Sequence, residues 1–306
     1  MKLKEKIKQN SPAILLYGFT PPSIDTDSKK VEQIAATQLL RLANSRLDGL
    51  VIYDLQDEKE RNKNKRTFDF KDTLEPLNYY KKFFVSKYQA IIYKAVSKYA
   101  PEALADFLGQ NNEIISVFVG ASSKNDTPKT QLNEAYKLKA KNAPNIVLGG
   151  ICIPERHISK GDEHLRVGQK ISAGCEFFIT QAVYNINNAK HFLSDYAKLC
   201  ASNETKKVPI IFTFTPCGDA KTLSFMRWLG IDVPKYFEGR LMHSSNPVEM
   251  SVKTSFDMFC ELYHYGKELG LSIGANVESI SRKKIEIEAS IALLNTISDF
   301  IKKERN

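Results

Sequence analysis

Eight apolar runs recur along the chain, and their spacing limits the folds open to it more than any other feature. They occupy residues 13–19, 49–55, 90–96, 114–120, 145–151, 176–180, 209–214 and 271–277. Each is almost continuously hydrophobic and rich in β-branched or aromatic residues, which suits strands buried on both faces of a parallel sheet. Amphipathic stretches separate them: 29–44, with Val31, Ile34, Ala35, Leu39 and Leu42 on one face, then 132–141, 187–200 and 221–229. Strand and helix alternate, which is the pattern of an α/β fold. Eight such strands in 306 residues fit a closed (β/α)8 TIM barrel better than an open doubly wound sheet. A helical insertion over 247–269 precedes the eighth strand, and a last helix over 282–303 covers the barrel side. No repeat, low-complexity tract or Gly/Ser linker marks a boundary, so residues 1–306 read as one barrel domain.

Composition narrows the function classes. At 42% hydrophobic and 26% charged, the chain can bury a full core and does not resemble a disordered sequence. Five cysteines without C-x-x-C spacing, several in apolar runs, read as reduced core thiols and point to the cytoplasm. The basic start, residues 1–12, has no apolar segment behind it, and no run approaches the roughly 20 apolar residues of a membrane helix. The net charge of +9 is scattered, concentrated only at 58–66 where acidic residues intervene, without the aromatic interleaving of a single-strand binder. A solvated basic surface, or a field that draws anionic ligands such as phosphates and polyglutamates, is expected rather than nucleic-acid or membrane binding. Homo-oligomers are common for such barrels, but no apolar patch marks an interface.

In such a barrel the chemistry sits at the carboxyl ends of the strands. Polar clusters fall there: Tyr17 to Pro22 after the first strand, Tyr53, Asp54, Gln56, Asp57 and Glu58 after the second, Tyr93 and Lys94 after the third, and Gly120, Ser122, Ser123 and Lys124 after the fourth. Thr213, Phe214 and Thr215 end the seventh, and Asn276 and Glu278 the eighth. The densest stretch is 149–184. It reads as a strand into Gly149 and Gly150, a polar loop from Glu155 to Arg166, a short helix, a turn at Ala173 and Gly174, and a strand ending in Thr180 and Gln181. Dinucleotide fingerprint, P-loop and Gly-x-Ser-x-Gly elbow are absent. Cys152 reads as core. His157 and His164 lie seven apart in an expected loop with no fixed ligand spacing, so no metal is expected.

Three motifs occur in order: Tyr17-Gly18-Phe19-Thr20-Pro21-Pro22, Pro154-Glu155-Arg156-His157, and the run from Ala173 and Gly174 through Phe178, Ile179, Thr180 and Gln181 to Tyr184. Together they resemble the methylenetetrahydrofolate reductase family over nearly the whole chain. The resemblance implies a (β/α)8 flavoprotein of one-carbon metabolism that reduces methylenetetrahydrofolate with hydride from NAD(P)H passed through FAD. It assigns Gln181 to the folate pterin and His157, Glu163, Arg166 and Lys170 to the flavin, beside Gly120. Tyr184, Phe214 and Phe19 read either as ring contacts to the ligand or as core, which aromatic residues at a barrel rim more often fill.

Two family carboxylates are missing. The first-strand glutamate, the general acid toward the folate nitrogen, is Gly18 here, and the fourth-strand Arg-Gly-Asp reads Val119-Gly120-Ala121. Opening an imidazolidine ring needs a placed proton donor, whose contribution is about 10²–10⁴-fold. Asp54, Glu278 and Glu155 are candidate replacements, with Asp54 and Glu278 foremost. The alternatives are a one-carbon enzyme on a different substrate and a folate or flavin binder without turnover.

Overall fold

In the computed structural model, which describes residues 1–57, 64, 66–121, 127–202 and 204–305, the eight runs close into one parallel barrel in chain order. Helix α1 (Leu3–Lys8) precedes β1 (Leu15–Phe19), and α2 (Ser28–Leu42) leads to β2 (Gly49–Ile52). Helix α3 (Pro76–Phe83) leads to β3 (Ala90–Ala95), α4 (Pro101–Gln110) to β4 (Ile115–Val119), and α5 (Leu132–Asn142) to β5 (Val147–Cys152). Two helices, α6 (Pro154–Lys160) and α7 (Glu163–Ser172), come before β6 (Cys175–Ala182), and α8 (Ile186–Ala201) before β7 (Ile210–Phe214). Then follow α9 (Ala220–Trp228), α10 (Lys235–His243), α11 (Pro247–Glu268), β8 (Ile273–Glu278) and α12 (Lys284–Arg305).

Local chemistry sets the helix starts. Asp27 accepts hydrogen bonds from the Lys29 and Lys30 amides at the head of α2, and Pro76, Pro101, Pro154 and Pro247 occupy first-turn positions that need no amide donor. The polar stretch after β5, expected as a loop, is largely helical because Pro154 opens α6 and Gly161, at φ +68°, ends it. The helix expected as an insertion over 247–269 is the layer helix α11, packed against α8, α12, β7 and β8. The added pieces before β8 are α9 and α10.

Inside the barrel, Leu16, Val51, Ile91, Val117, Val147, Phe177, Ile179 and Ile211 form a closed cluster. Gly149 makes room for it, because a Cβ there would strike the Phe177 ring. The alternate side chains of the strands meet the helices in a larger outer core. Two features of the register position the mouth. Gly18 pairs with Glu278 between β1 and β8, and the β6–β7 pairing slips between Ile179 and Ala182. Slips of this kind commonly re-aim a side chain beside a site.

Candidate functional site

The inward face of β8 carries Asn276 and Glu278, two residues apart. Glu278 is partly buried and accepts a hydrogen bond from the Tyr53 hydroxyl; desolvation pushes its carboxyl from 4.5 up to about 7, the hydrogen bond only partly opposing this. Tyr53 in turn accepts from Asn276 Nδ2 at 2.8 Å, and its ring meets Tyr93 edge-on at 4.8 Å. The Tyr53 ring stands over Gly18: a Cβ on that residue would lie 2.7 Å from the Tyr53 hydroxyl. The space a first-strand side chain would take is therefore filled by Tyr53. The register partner of Gly18 on the neighbouring strand β8 is the carboxyl residue Glu278.

Gln181 lies in the β6 slip. Thr180 substitutes for the broken ladder there, its hydroxyl accepting from the Thr213 amide at 3.0 Å and its carbonyl from the Thr213 hydroxyl at 2.8 Å. The Gln181 amide donates to the Leu229 carbonyl at 2.7 Å, which leaves Oε1 buried without a protein partner. Glu155, at the start of α6, also has both carboxylate oxygens buried without partners, and burial pushes its carboxyl up to about 8. Asp232 and Glu163 add repulsion of the same sign. Two carboxyl groups at the barrel's upper rim thus hold their protons near neutral pH.

Other expected site residues point elsewhere. Asp54 faces the helix layer, where it accepts from the Ala95 amide and Lys98 Nζ, both at 2.8 Å. Lys94 shares that face, held by Glu75 and the rings of Tyr99 and Phe107. Phe214 packs edge-on against Phe259 of α11. Tyr184 is buried against Phe237, its hydroxyl donating to the Thr215 carbonyl. These two rings belong to the core. Glu58, Ser122, Ser123 and Lys124 lie outside the described residues.

The set assigned to flavin is largely engaged within the protein. The buried Glu163 carboxylate accepts from the Ile153 amide at 2.8 Å, Lys170 Nζ donates to the Ile151 carbonyl, and the Gly120 carbonyl accepts from Gln56. His157 is buried and bonds through Nε2 to Asp195 of α8 at 3.0 Å. Arg166 is half-exposed, 3.7 Å from Glu163. His157 and His164, placed in a loop by sequence, stand instead on α6 and α7 with rings 5.2 Å apart. Asp195 was missed because nothing in the spacing of α8 links it to them. Cys152 is core as expected, its thiol pushed well up by burial.

Beside the mouth, a cavity of about 580 Å³ opens between the exit of β1, the loop after β8, α2 and α12. Gly18 and Ser279, neighbours of Glu278, reach its wall, and Lys30, Arg41, Arg282 and Lys284 give it positive charge. Gln33 and Gln38 add amides. Lys30 and Arg41 sit on α2, Arg282 precedes α12 and Lys284 opens it, so only the fold brings the two ends of the chain's sequence together here. Among the described residues no helix is long and apolar enough to cross a membrane.

Residues 137–271 match the family model for methylenetetrahydrofolate reductase. A solved structure of an uncharacterized protein from Clostridium thermocellum, described as binding two copies of 5-methyl-5,6,7,8-tetrahydrofolic acid, is 42% identical, with 97% of this chain and 99% of that chain covered and a TM-score of 0.87. A GH10 endoxylanase retrieved from a sugarcane soil metagenome reaches a TM-score of 0.52 at 9% identity, covering 97% and 99% of the two chains, and shares the fold alone. No curated protein matches the chain.

Proposed function

The chain belongs to the methylenetetrahydrofolate reductase family, and from that premise we propose that it binds a reduced folate at the barrel mouth, with Glu278 as the proton donor facing the pterin. The observation that carries this reading is the register pair Gly18 and Glu278. The family's acid is missing from β1, and a carboxyl with a pKa of about 7 projects into the same mouth from β8. A carboxyl that keeps its proton near pH 7 can donate to a ring nitrogen, the task a general acid performs at a folate. Gln181 supports the reading, since its unpartnered Oε1 asks for an N–H donor and the pterin's pyrimidine edge offers several. The basic cavity beside Gly18 suits the carboxylates of the folate tail. The folate bound by the Clostridium thermocellum protein makes 5-methyltetrahydrofolate the ligand to try first.

The fuller reading, reduction of methylenetetrahydrofolate by NAD(P)H through FAD, rests on family membership. Of the residues assigned to flavin, Lys170 and Gly120 are held by protein partners, Glu163 and His157 each have one partner and one buried polar atom without a partner, and Ala121 stands where the family has a carboxylate.

Calorimetric titration with 5-methyltetrahydrofolate tests the proposal. Wild-type protein should bind it with an affinity that falls as pH rises through 7. Glu278→Gln, which keeps a donor, should bind without that dependence, and Glu278→Ala should lose about ten-fold. A wild-type protein that takes up no folate sinks the proposal. Absorbance spectra with added FAD and NADH decide the fuller reading: a bound flavin that NADH bleaches would establish the oxidoreductase.

A further inference from the structure

We propose that His157, His164 and Asp195 form a site for a divalent transition-metal ion of the zinc class, joining α6, α7 and α8 in the helical layer. The inference is independent of the folate reading. Each residue offers one ligand atom, and the three atoms lie within 4.8 Å of one another.

The ring geometry matches a shared ion. With metal–nitrogen bonds of about 2.0–2.1 Å and a further ~1.1 Å from nitrogen to ring centre, two imidazoles on one tetrahedral ion have centroids roughly 5 Å apart. The observed separation is 5.2 Å, with the rings nearly perpendicular at 88°. His157 Nε2 and Asp195 Oδ2 are 3.0 Å apart, against about 3.3 Å between neighbouring ligands of such an ion. Small side-chain rotations, chiefly of His164, would close the remaining distance.

An ion would take the place of the proton shared by His157 Nε2 and Asp195. His157, 5% exposed, would ligate through the Nε2 that faces Asp195, and His164 has a buried Nδ1 without a protein partner that an ion would satisfy. A buried imidazole nitrogen without a partner is costly, and neutral imidazole is the commonest ligand for zinc, copper and nickel. Two histidines and one carboxylate leave a fourth position for water. His164 and Asp195 are only half-buried, so an ion can enter from solvent. Lys198 holds the other oxygen of Asp195 at 2.9 Å, but its side chain is 75% exposed and can swing away.

The test uses the full chain, stripped with a chelator and titrated with Zn2+, and with Co2+ as the absorbing probe. One equivalent of Zn2+ should bind and raise the melting temperature, as any ligand selective for the folded state does. Co2+ should give visible bands of tetrahedral nitrogen and oxygen ligation. His164→Ala and Asp195→Asn, at half-exposed positions that leave the fold intact, should each weaken Zn2+ binding by more than about ten-fold and abolish the thermal shift. Absence of saturable binding to the wild-type chain, or unchanged affinity in either variant, overturns the site.

Discussion

Glu278 stores the pH behaviour of the mouth. Its carboxyl is raised from 4.5 to about 7 by burial, so the folded state holds a proton that the unfolded chain releases. Its contribution to stability is therefore complete below pH 4.5 and lost as pH climbs through 7. Glu155, raised to about 8, adds a slope of the same sign. Urea unfolding of wild type and Glu278→Gln at several pH values separates them. The two should be similar near pH 4.5, and the variant should be more stable at pH 8 by on the order of 1–3 kcal/mol; parallel curves would show that Glu278 titrates normally. Gly18 is the other half of the arrangement. Gly18→Ala drives a methyl to 2.7 Å from the Tyr53 hydroxyl, an overpacking that costs about 1–3 kcal/mol. Adding Tyr53→Phe should recover part of the loss in melting temperature, because contacting residues do not add independently.

At the scale of strands, facing decides role. Asp54 and Tyr53 are chain neighbours, yet Tyr53 turns into the barrel and Asp54 outward to Ala95, Lys98 and Tyr99. Asp54 then ties β2 to β3 and is not an acid of the mouth. Asp54→Asn should cost about 1–3 kcal/mol in urea unfolding while folate affinity stays unchanged; weaker binding would return Asp54 to the mouth. The strands themselves were legible, since continuous apolar runs mark parallel strands buried on both faces. The same continuity removes the alternation that would have told which residue faces in, so Phe214 and Tyr184 read as either ligand contacts or core, and are core. Gln181 was legible as a strand-end residue, but the slip that aims it depends on a hydroxyl–backbone exchange between Thr180 and Thr213, which linear spacing does not encode. The paired histidines were hidden because the stretch from Glu155 to Arg166 looks polar enough for a loop, whereas Pro154 and Gly161 bound a helix within it.

Across the whole molecule the barrel divides into a lower end that holds it together and an upper end that holds the polar groups. Helix α1 closes the lower end. Leu3 and Ile7, 1% and 2% exposed, join the interior cluster with Leu16, Ile91 and Val147. The Leu3 amide donates to Gln89, and Lys6 pairs with Asp48, whose other oxygen takes the Leu15 amide. These contacts bind a basic opening segment, which reads as surface in the sequence, to the ends of three strands. Truncating Leu3 or Ile7 to Ala removes buried methyl groups from a closed interior, where the cavity cannot collapse, and should cost about 2–5 kcal/mol each. Glu278, Gln181 and the mouth lie at the opposite ends of the strands, so both variants should bind 5-methyltetrahydrofolate at low temperature as the wild type does. A melting temperature that drops while affinity holds would show that the two ends are energetically separate. A parallel loss of affinity would mean that the interior cluster, through Tyr93 and Tyr53, carries strain from the floor of the barrel to Glu278.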